Sequence, residues 1–140
     1  MTYDPNNVFA RILRGEVPSV KVYEDEQTLA FMDVMPQAEG HTLVVPKEAA
    51  ENIFDLSPEA AVALIKTTRK IAMAVKKGLN APGVMLAQLN GAPAGQSVFH
   101  VHFHVIPRSG GIELKLHARE LENPDKLNAI ADKIKAALEV

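Results

Sequence analysis

The sequence predicts an α+β fold, in which helices pack on an antiparallel sheet of about five strands. The first observation is the order of the elements that hydrophobic periodicity indicates: helix, three strands, long helix, two strands, helix. The second is size, because the chain has 140 residues, of which 47% are hydrophobic. It contains no repeat, linker or low-complexity stretch, so residues 1–140 are expected to form a single domain.

The first part of the chain is expected to hold one helix and three strands. Asp4 as the N-cap and Pro5 in the first turn predict a helix over about residues 5–14, packed on the sheet. Runs rich in β-branched and aromatic residues predict the strands, which fall at residues 20–24, 28–33 and 41–45.

The second part is expected to hold two helices and two strands. Ser57 as the N-cap and Pro58 at the first position predict the longest helix, over about residues 58–77. Its apolar side recurs at helical spacing and is expected to face the core: Ala61, Leu64, Ile65, Thr68, Ile71, Ala72 and Val75. Residues 84–90 predict a strand, and residues 124–138 predict a last amphipathic helix.

Three of the five histidines alternate with apolar residues in the run 97–107: His100, His102 and His104. The run predicts a strand, and alternation places the three imidazoles on one face with their roots roughly 6.6 Å apart. The opposite face is expected to be core, formed by Val101, Phe103 and Val105. Three imidazoles in register therefore predict a site that binds one small ligand.

Three interpretations of this histidine row are open from the residues alone. A single histidine on a half-buried strand is usually structural, but a purely structural row of three is costly because each ring needs its own partners. Zinc binding is the second interpretation, and it needs a further converging ligand such as His41 or Asp33. Catalysis by the imidazoles is the third.

The loop that precedes the histidines favours a phosphate ligand. Residues 90–97 are rich in glycine and turn formers, and the loop carries Asn90, Gln96 and Ser97. Backbone N–H groups, these polar side chains and imidazoles could together surround an anion. Without its neighbours the loop would be a plain hairpin connection, because it lacks the Lys-Ser/Thr ending of a P-loop.

Charge and composition exclude several classes of partner. A net charge of −2 gives no basic bias, so a nucleic-acid polymer is not an expected partner, whereas a single nucleotide is. No run of about 18 apolar residues and no charged-then-apolar leader is present, so we expect a cytoplasmic protein without membrane attachment. With no cysteine, the chain is expected to form no disulfide and no thiol-ligated zinc site.

The run from His100 to Ile106 resembles the His-φ-His-φ-His-φ-φ signature (φ apolar) of the histidine triad (HIT) superfamily of nucleotidyl hydrolases and transferases. Residues 9–18, 29–38 and 40–47 resemble its Hint-type branch in bacteria, so the resemblance covers about residues 5–108 and leaves a variable segment, 109–140. It implies a HIT-like fold and a homodimer with a continuous ten-stranded sheet. Many bacterial relatives carry a Cys-x-x-Cys zinc motif where this chain has Asn7 and Ala10, so we expect that zinc to be absent.

The resemblance also implies catalytic roles. His102 would attack the α-phosphate of a nucleotide and form a nucleotidyl-histidine intermediate, which water then hydrolyses. His100 would fix the ring of His102, while His104, Gln96 and Ser97 would contact the phosphate and the leaving group. No cofactor is required in this scheme.

Nucleotide binding is implied for a further set of residues. Asp33 resembles the acid that accepts hydrogen bonds from both ribose hydroxyls, although by itself it could be a turn aspartate. A purine pocket is implied for residues that could equally be ordinary core: Val8, Phe9, Ile12, Phe31 and Val34. His41 lies near the site in Hint-like proteins, and Asn90 matches a phosphate-side asparagine that could equally be a turn former. No role is assigned to His117.

The expected function is hydrolysis of purine nucleoside phosphoramidates or related conjugates of AMP or GMP at the α-phosphate. A dinucleoside polyphosphate hydrolase of the Fhit-like branch would use the same nucleophile on a different leaving group. A nucleotide-binding regulatory protein with vestigial activity is the third hypothesis.

Overall fold

A computed structural model of the chain describes residues 2–110 and 120–138. Its elements follow in chain order: α1 (Val8–Leu13), β1 (Lys21–Glu24), β2 (Thr28–Met32), β3 (Thr42–Pro46), α2 (Pro58–Gly78), β4 (Gly83–Ala87), β5 (Phe103–Arg108) and α3 (Pro124–Leu138), with a short 3-10 turn at Ala92–Ala94 before β5. The strands form one sheet in the order β1-β2-β3-β5-β4, and every neighbouring pair is antiparallel. The predicted α+β class and five-stranded sheet are confirmed.

The sheet is covered on both faces, and β3 shows how its residues divide between them. Val44 packs into the larger apolar cluster, which includes residues of α2 and α3. Leu43 and Val45, which point the other way along the pleat, join a smaller cluster with Phe9 and Ile12 of α1. The α1 face is therefore thinly covered, and it leaves room beside the helix for a pocket.

The start of α1 differs from the prediction. The helix begins at Val8 with Asn7 as its N-cap, because the Asn7 side chain accepts a hydrogen bond from the Ala10 N–H at 2.9 Å. Asp4 instead accepts the Asn6 N–H, which closes a turn ahead of the helix. Both Asp4 and Asn7 are residue types that cap helices, and Asn7 is the one that caps α1.

The histidine segment also differs from a continuous strand. β5 begins only at Phe103, so His100 and His102 precede the ladder. The Val101 N–H donates to the Ala50 carbonyl at 2.9 Å, which anchors this stretch to the loop after β3. Val101 and Val105 are nevertheless fully buried, as expected for the core side of the row.

The remaining boundaries are close to the expected ones. α2 and α3 match to within a residue, but Ile65 of α2 is 48% exposed and does not face the core. β4 ends at Ala87, so Gln88 to Asn90 belong to the following loop.

None of the helices in residues 2–110 and 120–138 is both long and apolar enough to cross a membrane. His117 lies outside the described residues.

Candidate active site

A pocket of about 420 Å³ opens on the α1 face of the sheet. It brings together most of the residues that the sequence singled out: Val8, Phe9, Ile12, Phe31, Asp33, Val34, His41, Ser97, His102 and His104. His100, Asn90 and Gln96 are not part of its lining. The apolar residues lie toward α1 and β2, and the polar ones lie at the end of the sheet where the histidines converge.

His102 is held in one orientation by the backbone. Its Nδ1 lies 2.7 Å from the carbonyl oxygen of His100. A carbonyl only accepts hydrogen bonds, so Nδ1 carries the proton and donates it. Burial lowers the pKa of His102 to about 4, so the ring is neutral near pH 7 and Nε2 keeps its lone pair. Phe9 packs against the same ring, with centroids 4.8 Å apart in an edge arrangement.

His100 lies behind His102 and is almost fully buried. Its Nε2 lies 2.7 Å from the Pro46 carbonyl and its Nδ1 lies 2.6 Å from the Tyr3 hydroxyl. Nε2–H therefore donates to the carbonyl, and Nδ1 accepts from the tyrosine O–H. Burial lowers the pKa of this histidine as well. Neutral His100 anchors the backbone carbonyl that in turn orients His102.

His41 and His104 form a second pair at the edge of the pocket. His41 Nε2 lies 3.0 Å from His104 Nδ1, and the backbone N–H of Gln37 donates to His41 Nδ1 at 3.0 Å. Burial, followed by the neighbouring His104 and His102, lowers the pKa of His41 to about 3. Gly40 brings His41 into this position with φ at +101°, and a Cβ there would overlap the side chain of Leu79.

Asp33 comes at the end of β2, where the chain turns toward His41. Its Oδ1 accepts the Met35 N–H at 2.8 Å, which closes the turn. Its Oδ2 lies 3.4 Å from His41 Nε2 at the pocket surface. One carboxylate oxygen is thus held by the backbone, and the other lies beside His41.

The loop before the histidines divides its polar side chains between structure and pocket. Gln96 is buried, and its amide accepts from the Gly91 N–H and donates to the Glu51 and Val98 carbonyls. Asn90 is engaged with Gln88 and with the Ile53 N–H. Ser97 is exposed and lines the pocket. Gln96 and Asn90 therefore shape the loop, and Ser97 is the member of the set that lines the pocket.

Sequence reasoning missed several contributors. Leu43 and Val98 line the pocket, and both could have been found from strand alternation. Tyr3 and the backbone amide of Gln37 carried no signal. The contact between Tyr3 and His100 joins residues that are far apart in the sequence, so no local pattern indicates it. The Gln37 contact uses a backbone N–H, which nearly every residue has, so the residue type carries no information.

The zinc interpretation can be tested against the hydrogen bonds. Asp33, His41 and His104 offer ligand atoms that all lie within 4.8 Å of one another. A neutral histidine that binds a metal through Nε2 keeps its proton on Nδ1 and donates it to an acceptor. His41 Nδ1 instead accepts from the Gln37 N–H. The cluster converges like a metal site, but in this arrangement His41 lacks the donor contact at Nδ1 that a histidine bound to a metal through Nε2 usually makes.

An antiparallel sheet that brings His41, His102 and His104 together at one end of a largely apolar pocket defines an α+β protein with a histidine-lined site. The model of one family, the HIT domain, matches residues 14–111. The chain therefore belongs to the HIT domain family, whose members bind nucleotides.

Solved structures support the same assignment. The chain is similar to a Hit-like protein from Bartonella henselae, described as involved in cell-cycle regulation, with 47% identity, a TM-score of 0.92 and coverage of 98% and 99% of the two chains. It is similar to a histidine triad nucleotide-binding protein from Sulfolobus tokodaii, with 30% identity, a TM-score of 0.86 and coverage of 94% and 91%. A zinc-bound histidine triad protein from Mycobacterium smegmatis is 36% identical, with a TM-score of 0.83 and coverage of 96% and 94%.

Proposed function

We propose that this protein hydrolyses purine nucleoside phosphoramidates, or related nucleotide conjugates, at the α-phosphate. The observation that carries the proposal is the state of His102. Its Nδ1–H is committed to the His100 carbonyl, so a neutral Nε2 lone pair is available at the pocket. Imidazole in this state is a nucleophile near neutral pH.

The reaction follows from this arrangement in two displacements. In the first, the Nε2 lone pair of His102 forms a bond to the α-phosphorus while the bond to the leaving nitrogen or oxygen breaks. The leaving group departs with that electron pair. In the second, water attacks phosphorus and the electron pair of the breaking P–N bond returns to Nε2. Overall, one water supplies a hydroxyl to phosphorus and a proton to the leaving group, and no metal takes part.

The pocket supports a nucleotide substrate of this kind. Val8, Phe9, Ile12, Phe31 and Val34 form an apolar wall that fits a purine ring. Asp33 supplies a carboxylate at the pocket as an acceptor for the ribose hydroxyls. Ser97 lines the same pocket, and the His104 ring is adjacent to His102, so both are proposed to contact the phosphate. His100 acts behind the pocket, where it fixes the carbonyl that orients His102.

We also propose a homodimer in which two sheets join along β4. The two edges of the sheet are β1 and β4. β1 carries Lys21 and Glu24, and charges on an edge discourage pairing. β4 carries no charge and exposes Leu86, and the exposed side of α2 adds Val62, Ile65 and Met73.

The test of the function compares two substrates in the presence of a chelator. Adenosine 5′-phosphoramidate is expected to release AMP, and diadenosine tetraphosphate is expected to react more slowly. The variant His102→Ala should lose turnover but keep AMP binding within about tenfold, because the nucleophile contributes to bond formation more than to ground-state affinity. Acid-quenched wild-type protein should carry one AMP adduct, which mass spectrometry detects and which the variant lacks.

Each other outcome contradicts part of the proposal. Faster release from the dinucleotide would assign the chain to the polyphosphate branch. Release that stops with the chelator and returns with zinc would contradict the metal-free mechanism. Tight nucleotide binding without release from either substrate would leave a binding protein rather than an enzyme.

A further inference from the structure

The contact between His41 and His104 defines where the protons of both rings are. Three groups follow one another toward the pocket: the Gln37 N–H, the His41 ring and the His104 ring. Gln37 N lies 3.0 Å from His41 Nδ1, and His41 Nε2 lies 3.0 Å from His104 Nδ1. His41 is 1% exposed, so neither of its nitrogens relies on bulk water.

The backbone determines the first proton position. A backbone N–H is a donor only, so His41 Nδ1 must be an acceptor with no proton of its own. The single proton of the neutral ring is therefore on Nε2. From there it can be donated to His104 Nδ1, while Asp33 Oδ2, at 3.4 Å, is a more distant acceptor.

The second proton position follows from the first. A proton on His104 Nδ1 would face the N–H of His41 across 3.0 Å, and two donors at that distance repel. His104 Nδ1 is therefore an acceptor, and the ring carries its proton on Nε2. The His102 ring is adjacent, with its centroid 4.9 Å from that of His104.

We infer that His41 is a positioning residue for the proposed reaction, which fixes His104 as a neutral ring with its proton on Nε2. In that state His104 donates a hydrogen bond to a phosphate oxygen beside the reacting phosphorus. A second proton, on Nδ1, would meet the N–H of His41, so His104 acts as a hydrogen-bond donor and not as a charged group. The effect on turnover rests on the proposed function, whereas the proton positions do not.

A matched pair of variants tests the effect on turnover. The amide nitrogen of a glutamine reaches about as far as His41 Nε2 and can donate to His104, whereas an asparagine reaches only the Nδ1 position, where it can still accept the Gln37 N–H. His41→Asn should lower kcat by about tenfold to hundredfold, because His104 would no longer be held as a donor and its hydrogen bond to the charged phosphate would be lost. Its KM should change less than about threefold, and His41→Gln should keep kcat within about threefold of wild type.

Nitrogen-15 NMR of the imidazole rings tests the proton positions without any turnover. Wild-type protein at pH 7 should show His41, His100 and His104 protonated on Nε2 and His102 on Nδ1. Assignment uses the signals that disappear in His41→Gln, His100→Gln, His102→Ala and His104→Gln. In His41→Asn, the His104 signal should lose its bias toward the Nε2–H form.

The outcomes separate the inference from the proposed function. His104 found with its proton on Nδ1, or His41→Gln as impaired as His41→Asn, would overturn the positioning role even if AMP is released. The predicted ring protonation in a protein that releases no AMP would support the hydrogen-bond assignment and contradict only the reaction.

Discussion

Buried neutral histidines should make this fold lose stability when the pH falls from 6 to 5. Burial lowers the pKa of His102 to about 4 and that of His41 to about 3, and it lowers the pKa of His100 as well. In the unfolded chain a histidine titrates near pH 6.5. Within this window the unfolded state therefore binds more protons than the folded state, so stability is complete above pH 6.5 and decreases as the pH falls toward the folded values.

The size of this loss of stability follows from His41 and His102, whose pKa values are lowered to about 3 and about 4. Between pH 6 and pH 5 an unfolded histidine carries on average about 0.9 proton, and folded His41 and His102 carry almost none. This difference corresponds to a loss of roughly 2 kcal/mol in the free energy of unfolding over one pH unit. His100 increases the loss. The window lies above the range in which carboxylates such as Asp25, whose pKa is lowered, contribute.

Urea unfolding followed by circular dichroism measures this loss at pH 7, 6 and 5. Protein concentration is held fixed, because association would add its own contribution to stability. His41→Gln is the matched control: it removes one titrating group and should reduce the decrease between pH 6 and 5 by about 1 kcal/mol. A wild-type decrease under about 0.5 kcal/mol, or an equal decrease in the variant, would refute the assignment of these rings as buried and neutral.

Two further predictions concern the pocket and the sheet edge. Asp33→Ala should weaken ribonucleotide binding about tenfold to hundredfold and 2′-deoxyribonucleotide binding much less, because the proposed binding mode has this carboxylate accept from both ribose hydroxyls. Calorimetry measures both affinities, and equal losses would mean that Asp33 does not hold the ribose. Leu86→Lys should shift the mass from two chains to one in light scattering, because it places a charge on the uncovered edge of β4. Wild-type protein that is monomeric at micromolar concentration would contradict the dimer.

Local signals account for what the sequence predicted well. Ser57 and Pro58 begin α2, and its helix runs to Gly78, as capping and periodicity indicate. At α1, Asp4 and Asn7 lie three residues apart and either could cap the helix. Asp4 closes a turn with the Asn6 N–H, so Asn7 is the residue that caps it. Ile65 fits the helical spacing but lies on the edge of the apolar stripe, where packing decides whether it is covered.

Non-local contacts account for what it could not predict. His100 and His102 lie outside the ladder because Val101 is bonded to Ala50, and no pattern within the histidine run indicates that partner. The apolar wall and Asp33 were expected at the pocket and line it. Gln96 resembles a phosphate ligand in sequence, yet the closure of its loop requires its amide for backbone groups.

The three histidines of the row are chemically identical, and the backbone makes them different. A carbonyl beside Nδ1 of His102 leaves Nε2 without a proton, and a carbonyl beside Nε2 of His100 leaves Nδ1 to accept from the Tyr3 hydroxyl. An amide N–H acting through His41 leaves His104 with its proton on Nε2. Because carbonyls and backbone amides cannot exchange donor and acceptor roles, each ring keeps its proton on the same nitrogen while it remains neutral. Fixed protons, rather than the histidines themselves, would then determine which ring attacks phosphorus and which donates to its oxygens.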